Sequence, residues 1–247
     1  MYFIIENSCG STNTELSNSM INVGLPISSR DRIQVDIHAK TFKEFLSYDV
    51  LVLSRSDFVQ VIDYQGFNTT DAVKQIDKLL RDNLGSLRHE IAEANAGYKQ
   101  LVSHIVVRTG DEFLVVQRDN GEKSAPELQG RLVLGVEGHV LANHFSKEDI
   151  GIWDNIRRST IYKLDDELDT SALDYNSCNL TLIGVVNDES NLISTKHFGL
   201  VYLLDTTKKL FPRTEMTLVS GFYLTLDRIE HYLPRFDNWS RHIYRYL

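Results

Sequence analysis

The stretch whose residue types and spacing best suit chemistry is Lys163-Leu164-Asp165-Asp166-Glu167-Leu168-Asp169. On a helix, positions three and four apart are neighbours, so Lys163, Asp166 and Glu167 share one face while Leu164 and Leu168 lie on the adjoining apolar face. Taken alone, the run reads as a solvated acidic helix end. Carboxylates near a helix C-terminus nevertheless oppose the macrodipole, by roughly a few tenths of a kcal/mol each. A bound cation would remove that conflict.

The elements that must position this run are read from the rest of the chain. Its 247 residues, 42% hydrophobic and 24% charged with 4 prolines, have the composition of a soluble globular protein. At about 150 residues per domain they make roughly one and a half domains. Ser146 opens a long helix, with Asp149 three residues on in the manner of a capping box. Ile150, Trp153, Ile156, Ile161, Leu164 and Leu168 supply its approximate apolar stripe. Upstream, 101–107 and 113–117 are apolar runs around the turn signal Thr109-Gly110-Asp111, which predicts an antiparallel hairpin. Further strands are expected over 131–137, 180–186, 198–204 and 219–226, and a terminal helix over 234–246. Residues 98–247 therefore read as an α+β domain, a mixed sheet with one long central helix and one terminal helix.

Residues 1–97 read as a small N-terminal α/β extension. A short strand over 1–6 leads into loop rich in Asn, Ser and Thr over 7–30. A short helix follows over 40–48, a buried strand over 49–54 and a helix over 71–83 with Thr70 or Asp71 as cap.

Charge and cysteine usage exclude several classes. The net charge is −8 and no Lys/Arg-rich block interrupts it. That argues against extended nucleic acid as a partner, while leaving open a nucleotide held by a few local groups. Cys9 and Cys178 are too few and too far apart for a disulfide framework or a Cys-based zinc site, so a reducing, cytoplasmic setting is expected. No apolar run approaches 18 residues and the N-terminus lacks a basic n-region, which argues against secretion and membrane spanning.

The loop Gly135-Val136-Glu137-Gly138-His139-Val140, followed by a helix ending Tyr162-Lys163-Leu164-Asp165-Asp166-Glu167-Leu168-Asp169, resembles the Nudix box. More narrowly, the chain resembles a MutT-related branch of phosphoesterases. It shares with that branch Gly121-Glu122-Lys123 before the loop, Asn187-Asp188-Glu189-Ser190-Asn191, and then Lys196-His197-Phe198-Gly199-Leu200-Val201. Tyr98-Lys99-Gln100 and Trp239-Ser240 fit as well, so the resemblance spans roughly residues 50–247. It implies a Nudix-like β-α-β sandwich that hydrolyses a diphosphate linkage in a nucleotide-derived substrate with Mg²⁺ or Mn²⁺. A pyrophosphate carries several negative charges, and attack by water needs hard cations that neutralise them and lower the water's pKa. Carried over, Asp166 and Glu167 take the paired ligand positions and Gly138 the loop glycine. Glu215, or a nearby acid, would orient the attacking water, and Arg118 and His139 would meet the substrate phosphates. Asp188, Glu189 and His197 lie where a site role competes with a turn cap or a surface pair.

The departures matter equally. The box arginine falls on Tyr162, its first glutamate on Lys163 and its last glycine on Asp169. Exchanging a carboxylate for an ammonium moves the local charge by two units, and one charge pair at about 5 Å is worth roughly 3 kcal/mol at an effective dielectric near 20. Lys163 could instead pair with Glu167 and mimic the missing cation. Two readings follow: a metal-dependent phosphohydrolase, or a catalytically weakened Nudix-like module binding a nucleotide or a protein partner. An ammonium within salt-bridge reach of Asp166 and Glu167 favours the second, and one turned outward leaves room for metal. A homodimer is the commonest symmetric assembly and is compatible with either.

Overall fold

The computed structural model describes residues 2–4, 20–22, 48–119, 126–145, 151–173, 179–213 and 218–247. The chain divides into two units, Met1–Ser47 and Tyr48–Leu247. In the first, β1 (Tyr2–Ile4) pairs antiparallel with β2 (Met20–Asn22), with Tyr2 opposite Asn22. Residues 40–47 of the helix expected over 40–48 lie outside the described residues.

The second unit opens with β3 (Asp49–Ser54), whose Val50, Leu51, Val52 and Leu53 are all buried. The Ser54 side chain caps α1 (Arg55–Val61) by accepting the Asp57 N–H at 3.2 Å. Then come β4 (Gly66–Asn68), α2 (Thr70–Asn83), β5 (Gly85–Arg88) and α3 (His89–Ala94). The helix over α2 starts one residue before the expected 71. The strands β4 and β5 and the helices α1 and α3 are too short to show a hydrophobic period, and the sequence pattern did not disclose them. Strand β3 pairs with both β5 and the long central strand β6 (Tyr98–Thr109).

Strand β6 organises the fold. Gly110 adopts φ +64 in the turn to β7 (Glu112–Arg118), as the hairpin signal predicted. Side chains alternate along a strand. Leu101, Ser103, Ile105 and Val107 therefore share one face, and Gln100, Val102, His104 and Val106 the other. On the first face Ser103 Oγ lies 2.7 Å from Thr160 Oγ1 of α4 (Ile152–Glu167), and Ile105 and Val107 pack in one cluster with Leu164. On the second face Val102 and Val106 pack with Trp239 and Ile243 of α6 (Asn238–Tyr244). A strand covered on both sides reads as a nearly continuous apolar run.

The remaining strands are β8 (Leu132–Leu134), β9 (Val136–His139), β10 (Asn179–Asn187), β11 (His197–Asp205) and β12 (Leu218–Thr225). Along the main path the order is β12-β7-β6-β11-β10-β4; β11 runs parallel to β6 and the other pairings are antiparallel. This is an α+β architecture with a mixed sheet between helices. No helix among the described residues is long and apolar enough to cross a membrane.

Two expectations need correction. The single strand over 131–137 is two strands, because Gly135 at φ +93 turns the chain between them. A Cβ at Gly135 would overlap the Ile105 carbonyl oxygen, so the chain passes there only as glycine. As a result β8 pairs with β7 and β9 pairs with β6. The terminal helix over 234–246 is likewise divided. Helix α5 (Leu226–Tyr232) ends in a 3₁₀ turn at Leu233–Arg235 that contains Pro234, and Asp237 then caps α6 by accepting the Ser240 N–H at 2.7 Å. The expected start of α4 at Ser146, with Asp149, lies outside the described residues.

Candidate functional site

Antiparallel register places Ser103 opposite Gly138, with His104 opposite Glu137 and Val102 opposite His139. Gly138 thus faces α4, while Glu137 and His139 face the other side of the sheet. The absence of a side chain at position 138 leaves a channel that Lys163 fills, since a Cβ there would overlap the lysine Cε and Cδ. The Lys163 ammonium ends on Glu167 Oε1, one turn further along α4. Glu167 is 5% exposed, and its second oxygen, Oε2, is buried with no hydrogen-bond partner among the described residues. The main chain closes the helix end: Arg213 N donates to Glu167 O at 2.9 Å and Asp169 N to Phe211 O at 2.9 Å. Asp165 accepts the Thr170 hydroxyl, and Asp166 lies exposed within electrostatic range of His144.

This arrangement tests the cation that the resemblance implies. The space between the glycine strand and the acidic helix holds the lysine methylenes, and the ammonium already neutralises Glu167. As these residues stand, they do not fit a divalent ion there. Glu215 and the segment Gly121-Glu122-Lys123 lie outside the described residues.

On the opposite face a second set of charges is buried. Arg118, at the end of β7, pairs with Glu137 Oε1, while Glu137 Oε2 lies 3.3 Å from His104 Nδ1. His104 is fully buried and its Nε2 donates to Leu134 O at 2.9 Å. Burial pulls the imidazolium down, but the Glu137 carboxylate outweighs it and holds His104 above its ordinary value. For Glu137 burial pushes upward, and Arg118 and His104 overcome it, leaving the carboxyl at about 2. Arg118 is therefore committed to an internal ion pair.

The third assembly lies beside Gln100 on that same face. Helix α3 presents His89 and Glu93 one turn apart, and its first N–H donates to Tyr48 O at 2.9 Å while the Tyr48 ring stacks on His89 at 4.9 Å. His197, the first residue of β11, sits opposite Gln100 and donates from Nδ1 to Ile193 O at 2.7 Å. His139 Nε2 is 3.1 Å from His197 Nε2, and Glu93 Oε1 is 3.3 Å from His197 Nε2 and 3.8 Å from His89 Nε2. Gln100 Nε2 donates to Glu93 Oε1 at 2.8 Å, and Lys196 Nζ approaches Glu93 Oε2 at 3.3 Å. Burial, with His197 and His89 beside it, pushes His139 down to about 3. Glu93 is held well below the carboxylate range, foremost by its hydrogen bond with His197.

Asp188 stands apart from these groups. It is 2% exposed and accepts from Ser190 N at 2.9 Å and Asn238 Nδ2 at 3.1 Å, tying its loop to α6. Its neighbour Glu189 pairs with Arg55 and with the fully buried Lys99, at 2.7 Å from Nζ. Sequence reasoning missed His104, His89, Glu93 and Lys99 as site residues and passed over Glu137. The spacing His89-Glu90-Ile91-Ala92-Glu93 is the one signal that could have disclosed the third assembly.

No family model matches the chain, and no curated protein matches it. Solved structures do. Tm1382, described as a candidate Nudix hydrolase, superposes with a TM-score of 0.63 at 17% identity, covering 80% of this chain and 96% of that one. DR0079 from Deinococcus radiodurans gives a TM-score of 0.42 at 11% identity over 59% of this chain and 80% of its own. The Nudix domain of Shewanella oneidensis NrtR, solved with ADP ribose, gives 0.38 at 14% identity over 59% and 82%. The chain has the Nudix fold.

Proposed function

We propose that this chain is a Nudix-fold module that binds a nucleotide-type diphosphate without depending on a divalent cation at the acidic helix end. The observation that carries the reading is the Lys163–Glu167 ion pair laid across Gly138. The ammonium offers a phosphate the N–H donors that Glu167 does not take. Unlike a metal ion, it does not convert a bound water into hydroxide near neutral pH, so binding outlasts hydrolysis. In this reading the ligand rests on the Lys163 side of the sheet, and Arg118 and His139, on the opposite face, do not contact it.

A second reading, a metal-dependent hydrolase acting on the diphosphate linkage, is favoured by one specific observation. Glu167 Oε2 is buried without a partner among the described residues, which is costly unless something occupies that position in the working state. In that reading Asp166, Glu167 and Gly138 hold Mg²⁺ or Mn²⁺ once Lys163 has moved aside.

One experiment separates the two. A panel of nucleoside diphosphate-linked compounds is titrated by calorimetry in EDTA and, in parallel, followed for product release with Mg²⁺ or Mn²⁺. Binding in EDTA that Lys163→Met weakens supports the module. Metal-dependent turnover that Glu167→Gln abolishes would overturn it in favour of the hydrolase.

A further inference from the structure

We infer that His89, Glu93 and His139, with His197 beside them, form a binding site for a divalent transition cation of the zinc class, separate from the acidic end of α4. The donors come from α3 and β9, far apart in sequence, and the first residue of β11 lies against them. One ligand atom from each of His89, Glu93 and His139 lies within 4.8 Å of the others. His197 Nε2 stands beside this group, 3.1 Å from His139 Nε2 and 3.3 Å from Glu93 Oε1. Four ligands at about 2.0–2.1 Å from a tetrahedral zinc stand about 3.3–3.4 Å from one another. The His89–Glu93 spacing of 3.8 Å is close to that edge length, and the three donors, all within 4.8 Å of one another, need only a small closure to reach it, with a water left to complete the shell.

The chemistry of the donors agrees with the spacing. Imidazole nitrogen and a single carboxylate oxygen form a set suited to zinc and its neighbours, whereas Mg²⁺ and Ca²⁺ prefer oxygen throughout. His197 already shows the supporting contact expected of a ligating histidine: Nδ1–H is spent on the Ile193 carbonyl, which leaves Nε2 turned toward Glu93 and His139. Glu93 is similarly prepared. Gln100 orients Oε1 and Lys196 holds Oε2, so the carboxylate offers one oxygen in a fixed direction. With its Nδ1–H spent on Ile193, a neutral His197 can accept from His139 Nε2–H but turns the same bare Nε2 toward Glu93 Oε1 at 3.3 Å, and two acceptors facing each other make a poor contact that a cation beside them relieves. The side chains of His89 and Glu93 are 28% and 36% exposed, so an ion can enter from solvent.

The alternative is a plain ion pair between a protonated His197 and Glu93. Stripping the chain with EDTA and titrating it with Zn²⁺ by calorimetry, with Co²⁺ absorbance as a second probe, decides between them. Expected is one equivalent of tight binding and the intense visible bands of low-coordinate Co²⁺. His89→Ala and His139→Ala should each weaken binding by more than about 100-fold, beyond what even an outer-sphere partner costs. Circular dichroism checks that both variants are folded. Glu167→Gln should leave Zn²⁺ affinity unchanged. The site is refuted by the absence of stoichiometric binding, by wild-type affinity in the folded histidine variants, or by loss of binding in Glu167→Gln. None of these outcomes depends on nucleotide binding or turnover.

Discussion

Gly138 and Lys163 occupy one volume: the lysine methylenes lie where any larger residue at position 138 would place its first carbon. Gly138→Ala is therefore expected to expel Lys163 from Glu167 and to cost about 1–3 kcal/mol, as overpacking does. If the cost runs through the lysine, Lys163→Met will cost less in the Gly138→Ala background than in the wild type, by at least about 1 kcal/mol of coupling. Urea unfolding of the four proteins measures it. Strict additivity would show that the two positions are independent.

Lys163→Glu replaces the ammonium with a third carboxylate beside Asp166 and Glu167. Mg²⁺ is the suitable probe because it takes oxygen ligands and shuns histidine clusters. Removing a repulsive neighbour and adding an attractive one should raise Mg²⁺ affinity at least about tenfold, given that single charge pairs are worth a few kcal/mol at such distances. Calorimetric affinities that match the wild type would mean that Lys163 does not control cation access.

The Arg118–Glu137–His104 chain makes stability depend on pH in a defined window. Glu137 titrates at about 2 in the folded protein against an ordinary 4.5. Its contribution is therefore complete above pH 4.5 and is lost as pH falls from 4.5 toward 2. His104 is raised above 6.5, so its contribution is complete below 6.5 and fades as pH climbs through the folded value. The charged groups facing this chain from outside are His197 and Asp237. Thermal unfolding from pH 2 to 9 should show the network's contribution greatest between 4.5 and 6.5. In Glu137→Gln the acid limb should flatten; an unchanged slope would place the acid sensitivity elsewhere.

Gly135 combines φ +93 with a Cβ direction that meets the Ile105 carbonyl. A side chain there faces backbone strain and steric overlap together, and Gly135→Ala should cost about 3 kcal/mol or more. Solubility and far-UV circular dichroism report it. Wild-type stability in this variant would show that β8 and β9 can join by another path.

The parts of this molecule legible in the sequence are those set by local physics. Strand β3 spans Asp49–Ser54 as expected from its β-branched run, the hairpin turns at Gly110, and Lys163 meets Glu167 as helical spacing suggested. What escaped was decided by tertiary contact. A glycine within an apolar run gives no sign of which strand each half will join, so the division at Gly135 could not be read. His89 and Glu93 belong to a six-residue helix whose own pattern is slight, and Glu93 meets Gln100 and His197 only when α3 docks beside β6.

Strand β9 is four residues long, and it looks in two directions at once. Through Gly138 it borders the lysine on α4, and through His139 it supplies the imidazole cluster on the other side of the sheet. Because pleating alternates residue by residue, sliding β9 by one position along β6 would drive His139 into the lysine's space and present a bare glycine to the imidazoles. The two surfaces therefore share one register, and no slip of that strand can adjust one of them while sparing the other.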